Sequence, residues 1–439
     1  MKNLLKKLIP KRLLNLRHLF FAWYGSVKYK HPSEELMVIG ITGTSGKSTT
    51  AYLLRQILES AGMSVGSLST IDFYVAGEEK LNDQKMTMLG KMQIQKYLRE
   101  MVDKKCDVAI VETTSEGRVQ YRHSFINYDM MALTNLYPEH IDSHGSFEAY
   151  KQAKLDIFEY VSKCKVKILE NTLIGEHSNT KGRIPKTAIV NAKSEYKDEF
   201  LQFDFNQKMT FGDEIKNVEV REDGLHFSFE DKQFQAPLYG EHNVMNIVLA
   251  LRIARAWLLD WEVLQKAVAN LKPIPGRIEF IDEAEEKGFQ AIVDYAFEPV
   301  AMEKLYKVVE LLKPIGRIIH VFGSTGGGRD RDRRFKLGEM IGQKADICIV
   351  TDEDPYEDDP QEIIDDVAGV VIKQGKEINK NVFKILDRKE AIGKAIEMAE
   401  KGDLILITGK GSEQGMCVAG GKMIVWDDRK IVRDFIVKK

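Results

Sequence analysis

Val38-Ile39-Gly40-Ile41-Thr42-Gly43-Thr44-Ser45-Gly46-Lys47-Ser48-Thr49-Thr50 is the stretch from which the fold can be read. The apolar run Met37 to Ile41 is of strand type, and Ala51, Leu53, Leu54, Ile57 and Leu58 recur as one face of a helix. Strand, glycine turn and helix in that order make a phosphate cradle. Glycines let backbone N–H groups converge on an anion, and the helix N-terminus adds partial positive charge. Lys47 would reach the terminal phosphates and the Ser48 hydroxyl would hold Mg²⁺. The spacing Gly43-x-x-Gly46-Lys47-Ser48 departs from the G-x-x-x-x-G-K-[ST] pattern, since Gly40 lies one residue too far back. An ordinary βα turn containing Gly-Lys-Ser is the alternative; the intact strand–turn–helix context favours nucleotide binding.

Outward from the cradle, Ser64–Thr70, Cys106–Ser115 and Tyr128–Leu136 read as further strands, with a helix over 87–104. Strands alternating with helices predict a mostly parallel sheet with ligands at the strand carboxyl ends. Glu112 and the segment after Asn135 should therefore lie near the cradle. Residues 196–237 alternate in polarity as antiparallel hairpins do, and a helix is expected from Asn243 to Ala256. Leu271-Lys272-Pro273-Ile274-Pro275-Gly276-Arg277 is the candidate hinge. Beyond it, Gln290–Tyr295, Arg317–Gly323, Asp346–Thr351 and Asp403–Thr408 predict a second α/β pattern. The expected fold is thus α/β: a P-loop central domain over 36–274, a doubly wound Rossmann-like domain over 275–439, and a basic amphipathic segment over 1–35.

Composition sets limits on what the chain does. Hydrophobic residues at 44% and charged residues at 30% suit a globular protein, and a net charge of −2 exerts no pull on nucleic acid. The four cysteines, Cys106, Cys164, Cys348 and Cys417, form no C-x-x-C pair, so neither a disulfide framework nor a zinc site is indicated, and a cytoplasmic location fits. Residues 1–33 hold eight basic residues between Lys2 and Lys30 and no acid before Glu34, interleaved with leucines, Phe20, Phe21, Trp23 and Tyr24. Charge interrupts the apolar run too often for a bilayer span or a signal peptide. Such a helix either lies on an anionic membrane surface, here the inner face, or packs on the body with its lysines in solvent; both readings stand.

Four further clusters sit at strand ends or turns: Thr134-Asn135-Leu136-Tyr137-Pro138-Glu139-His140-Ile141-Asp142-Ser143-His144-Gly145, running on to Lys154; Gly240-Glu241-His242-Asn243-Val244-Met245-Asn246; Gly323-Ser324-Thr325-Gly326-Gly327-Gly328-Arg329-Asp330; and Thr408-Gly409-Lys410-Gly411-Ser412-Glu413. With them the chain resembles the Mur ligases, the ATP-dependent amide-bond-forming family of peptidoglycan synthesis, and within it the branch that adds the third residue of the stem peptide. The resemblance spans about residues 36–439.

What the resemblance implies is specific. Gly43, Thr44, Ser45, Gly46, Lys47, Ser48 and Thr49 would hold ATP, with Asn243, Asn246 and Arg277. Glu112 and His140 would bind two Mg²⁺ ions with Ser48, and Lys154 matches the lysine that the family carbamylates into an extra metal carboxylate. Lys47, His140 and Lys154 would serve catalysis. Thr87, Arg329, Asp330, Asp354, Tyr356, Lys410 and Glu413 would contact the muramyl peptide and the incoming amino acid. His144 reads as structural.

The departures are informative as well. Only residues 1–36 precede the first strand-like run, where the family carries a domain for the uridine nucleotide. The muramyl peptide is accordingly expected either UDP-linked and weakly held or lipid-linked at a membrane, with residues 1–33 as a peripheral contact. Asp354-Pro355-Tyr356 replaces the family's acceptor-selecting Asn-Pro-Arg, so the acidic run Asp352 to Asp359 would read the distal ammonium of lysine or ornithine, or be a plain solvated loop. Phe297 and Ser412 each stand where the family has histidine. Two other functions compete: a folylpoly-γ-glutamate synthetase-like ligase, and a non-catalytic ATP-binding partner of a cell-wall complex.

Overall fold

The computed structural model describes residues 11–82, 86–138, 144–169, 182–257, 259–328 and 331–439, the side chains of Lys11, Arg12, Leu13 and Leu81 excepted. It divides into two compact units. The first runs to Lys272 apart from 220–224 and 238–240; those stretches go with Pro273–Lys439.

The first unit begins with helix α1 (Lys11–Lys28), then β1 (Met37–Thr42), α2 (Lys47–Ser60), β2 (Val65–Leu68), β3 (Asp72–Val75) and β4 (Glu78–Leu81). Next come α3 (Lys91–Asp103), β5 (Val108–Glu112), α4 (Ser115–Val119), β6 (Met130–Leu133), α5 (Phe147–Ser162), β7 (Thr187–Asn191) and β8 (Gln207–Phe211). These strands form one sheet in the order β8-β7-β6-β1-β5-β2-β3-β4, parallel from β8 to β2 and antiparallel at β2–β3–β4. Every residue of β1 is buried, as helices on both faces of a parallel sheet require. The hairpins foreseen after residue 196 are a separate three-stranded sheet of β9 (Ile215–Arg221), β10 (Gly224–Phe229) and β11 (Lys232–Ala236).

Several elements are shorter than their sequence suggests, for local reasons. Tyr128–Leu136 contracts to β6 because the buried Asp129 carboxylate takes the Val38 N–H at 2.8 Å and the ammonium of Lys186 at 2.8 Å. The helix expected over 87–104 starts only at Lys91, after extended Gly90, whose N–H donates to Gln93 Oε1 at 3.3 Å.

Helix α1 lies against the body of the first unit along one side. One side packs on α3: Ala22, Gly25 and Ser26 are buried, and a Cβ on Gly25 would stand 3.1 Å from Met92 Sδ. The other side leaves Leu16, Phe20, Phe21, Trp23 and Tyr24 exposed. Among the described residues no helix is long and apolar enough to cross a membrane.

The second unit carries a six-stranded sheet. Its strands are β12 (Glu279–Phe280), β13 (Gln290–Asp294), β14 (Ile318–Phe322), β15 (Ile347–Val350), β16 (Val382–Lys384) and β17 (Leu404–Thr408). The order is β12-β13-β17-β14-β15-β16, parallel throughout except β12. Helices cover both faces, the doubly wound arrangement, and two apolar clusters form the cores on either side.

Candidate active site

β1 sits between β5 and β6, so chain from both halves of the sheet emerges beside its carboxyl end. Register brings Glu112 opposite Ile41 and Leu133 opposite Thr42, immediately before the glycine turn begins at Gly43. Both glycines are required. Gly43 has φ +147° and its Cβ would meet Thr134 Oγ1 at 1.9 Å; Gly46 has φ +78° and its Cβ would meet Asn246 Oδ1 at 2.5 Å.

The turn is braced from outside its own sequence. Thr44 N donates to Asn135 O at 3.0 Å, Ser45 N to Asn135 Oδ1 at 2.9 Å, and Thr134 Oγ1 to Ser45 O at 2.7 Å. Tyr150 Oη donates to Thr44 Oγ1 at 3.2 Å. The Lys47 ammonium donates to Gly43 O at 3.1 Å and Thr44 O at 2.8 Å. Thr49 lies in the first turn of α2. Thr134 and Asn135 were visible as polar residues ending an apolar strand, but their bracing of the loop was not.

Ser48 Oγ donates to Glu112 Oε2 at 2.8 Å, and the same oxygen accepts from Thr70 N at 2.8 Å and Thr70 Oγ1 at 3.0 Å. Ser48 and Glu112 are hard-oxygen donors side by side, the chemistry that suits Mg²⁺ held chiefly by water and phosphate. Lys154 is buried. Its Nζ donates to Gly43 O at 2.8 Å and lies 4.6 Å from the Tyr150 ring centre, so it stands behind the first glycine of the turn. His140 lies outside the described residues. His144 Nε2 is 3.1 Å from Ser115 Oγ, in line with a structural role.

Asn243 and Asn246 are buried on the helix His242–Arg255. Asn246 Nδ2 donates to Asn243 Oδ1 at 3.1 Å, and Asn246 Oδ1 accepts from Thr50 Oγ1 at 3.4 Å. The pair therefore backs the start of α2. Thr87 is half-buried just ahead of α3.

In the second unit the remaining candidates collect at the carboxyl ends of β13, β15 and β17. The fully buried Lys410 ammonium donates to Asp354 Oδ2 at 2.8 Å and to Glu413 Oε2 at 2.5 Å. Burial works against its charge, but Glu413 and Asp354 outweigh it and hold the ammonium above its ordinary range. Asp354 Oδ1 also accepts the Cys417 N–H, and Glu413 Oε1 accepts from Tyr295 Oη at 3.1 Å. Arg277 is exposed, its guanidinium 4.2 Å from the Tyr295 ring centre. Tyr356 (φ +54°) packs on Gly327, where a Cβ would stand 2.9 Å from its ring.

This geometry corrects the expectation of a free acidic loop. Glu353 accepts from Thr325 Oγ1, Glu357 from the N–H groups of Gly420 and Gly421, Asp358 from Arg334, and Asp359 from Gln361 N. With Asp354 on Lys410, these carboxylates fasten the loop to its own unit, and it is not simply solvated. Burial pushes Asp352 up to about 6. Arg329 and Asp330 lie outside the described residues.

Comparison with known proteins agrees in both units. The Mur ligase middle domain matches residues 41–254, and the Mur ligase glutamate ligase domain matches 276–411. The UDP-N-acetylmuramyl-tripeptide synthetase of Roseiflexus sp. (strain RS-1) is 32% identical over 439 residues, covering 96% of this chain and 81% of that protein. The UDP-N-acetylmuramoyl-L-alanyl-D-glutamate–2,6-diaminopimelate ligase 2 of Clostridium acetobutylicum is 30% identical, with coverage of 93% and 80%. A solved UDP-N-acetylmuramoyl-L-alanyl-D-glutamate–2,6-diaminopimelate ligase superposes with a TM-score of 0.60 at 25% identity, covering 92% of this chain and 78% of that one.

Proposed function

The chain belongs to the Mur ligase family, and from that premise we propose that it joins an amino acid to a muramyl peptide at the expense of ATP, in peptidoglycan precursor synthesis in the cytoplasm. The observation that carries this reading is the cluster of Lys47, Ser48 and Glu112 around a braced glycine turn at the end of β1.

The chemistry asks for two steps. A carboxylate oxygen of the muramyl peptide attacks the γ-phosphorus, the bond to the bridging oxygen breaks, and ADP leaves. The neutral amine of the acceptor then attacks the acyl carbon, the bond to phosphate breaks, and the surplus amine proton passes to solvent. Ser48 and Glu112 would hold Mg²⁺, which when bound would offset charge on the phosphates. Within the Gly43–Thr49 turn, Asn135 takes the N–H groups of Thr44 and Ser45, so those of Gly46, Lys47, Ser48 and Thr49 at the start of α2 would cradle the β- and γ-phosphates, and Lys47 would leave its two carbonyl partners to meet the transferring group. Asn243 and Asn246 hold Gly46 in shape, and Arg277 contributes to the nucleotide.

The finer assignments are part of the same proposal. A carbamylated Lys154, formed from its amine and CO₂ with loss of a proton, would join His140 at a second Mg²⁺. Thr87, Arg329, Asp330, Asp354, Tyr356, Lys410 and Glu413 would contact the muramyl peptide and the acceptor. The muramyl peptide arrives UDP-linked or lipid-linked, and the exposed aromatic side of α1 would rest on an anionic membrane surface at the inner face.

ADP release with a panel of muramyl dipeptides and amino acids tests the activity; ATP binding without turnover on any pair would leave only the non-catalytic reading. Tyr356→Arg, which restores the family's arginine, should raise turnover with diaminopimelate relative to lysine; an unchanged ratio would remove Tyr356 from acceptor selection. Liposome co-sedimentation with and without residues 1–33 tests the membrane contact, and equal partitioning would end it.

A further inference from the structure

We propose that Lys91 of α3 and His18 of α1, with Arg17 beside them, form a binding site for the diphosphate that links a muramyl sugar to its carrier. The inference rests on the muramyl-ligase reading, because both carriers considered, a uridine nucleotide and a polyprenyl lipid, attach through the same diphosphate.

Three observations support it. Lys91 Nζ donates to His18 Nδ1 at 2.7 Å, so an uncharged imidazole holds the Lys91 ammonium in place where α1 packs on α3. No carboxylate among the described residues forms an ion pair with Arg17, Lys91 or Arg122, whereas Lys80 on β4 is paired with Glu100 and Lys104, just past the end of α3, with Glu78. Burial, then the charges of Arg122 and Arg17, pull the Lys91 ammonium down to about 8. Arg122 is committed to Met88 O and Gln120 Oε1 and adds positive potential, while Glu116 is the carboxylate whose charge it feels. Like charges gathered in a half-buried setting raise the free energy of the empty site, and a multiply charged anion removes that cost.

The test blocks the phosphate cradle with a saturating non-hydrolysable ATP analogue, then titrates the full chain calorimetrically with inorganic pyrophosphate, with UDP, and with vesicles carrying a polyprenyl diphosphate. Binding should be seen and should weaken about tenfold or more in Lys91→Gln and His18→Gln, with Lys91→Arg retaining most of it. Unfolding temperatures of the variants check that α1 still docks. Preference for UDP over vesicles identifies a soluble carrier, and preference for the vesicles a lipid one, which the exposed Leu16, Phe20 and Trp23 of α1 would favour. No binding of any of the three, or equal binding by Lys91→Gln, overturns the proposal. Amino-acid-dependent ADP release is read separately. Turnover with unaltered diphosphate binding in the variants rejects this site but keeps the ligase, and the converse keeps the anion site while rejecting the ligase.

Discussion

The glycine turn after β1 and the loop cluster of the second unit occupy the same position in their sheets, at the carboxyl ends of parallel strands, yet they are built in opposite ways. The turn is shaped by backbone and by neutral braces, Thr134, Asn135 and Asn246, and the ammonium groups of Lys47 within it and Lys154 behind it bond to its carbonyls and are not paired with acids in it. The loop cluster is shaped by charge, with Lys410 buried between Asp354 and Glu413. A phosphate site needs donors left open to an incoming anion. The acidic loop, by contrast, spends its carboxylates on holding itself together, so its sequence overstates the charge it offers a substrate.

Breaking the charged cluster should have the largest effect. Lys410→Met leaves Asp354 buried without its cation, at a cost of about 3 kcal/mol in urea unfolding. Adding Asp354→Asn to that variant should recover part of the loss; strict additivity would mean that the two do not act as a pair. Lys47→Ala should leave folding almost untouched, since the residue is half-exposed and makes only carbonyl contacts, but slow ADP release on the order of 100- to 1,000-fold. Equal loss of stability in both variants would erase the distinction between the regions.

Gly46→Ala probes the neutral braces. The added methyl faces Asn246 Oδ1 at a left-handed backbone position, so a destabilisation of roughly 1–3 kcal/mol is expected in thermal or urea melts. Asn246→Ala in the same chain should relieve the steric part. The smallest effect concerns Asp352, whose carboxyl is raised to about 6 by burial. The folded state then binds more protons than the unfolded state between the ordinary carboxylate range and pH 6, so stability falls as pH rises through that window. Asp352→Asn should flatten this slope in urea melts taken at successive pH values; an unchanged slope assigns it to other groups.

Much of the fold was visible in the order of apolar runs and glycine turns, because strand and helix periodicities are local properties. Each predicted strand exists, but the ends drift where side chains compete with the ladder, as at Asp129 and Gly90. The candidate site was legible at Lys47, Ser48 and Glu112, since strand–turn–helix order and strand-end position are both written along the chain. The braces were not, because Thr134 lies 89 residues from Ser45 and Asn246 lies 196 from Thr50. Nothing local couples such pairs.

By itself, then, the sequence determined two α/β patterns, a phosphate-binding turn and a strand-end carboxylate, all consequences of local periodicity and glycine chemistry. Tertiary structure alone decided which charges remain available. Asp354 is consumed by Lys410, Lys154 is turned toward Gly43, and Lys91 is brought against His18. Whether a charge is spent depends on what the chain folds against it, and that is a matter of distance in space.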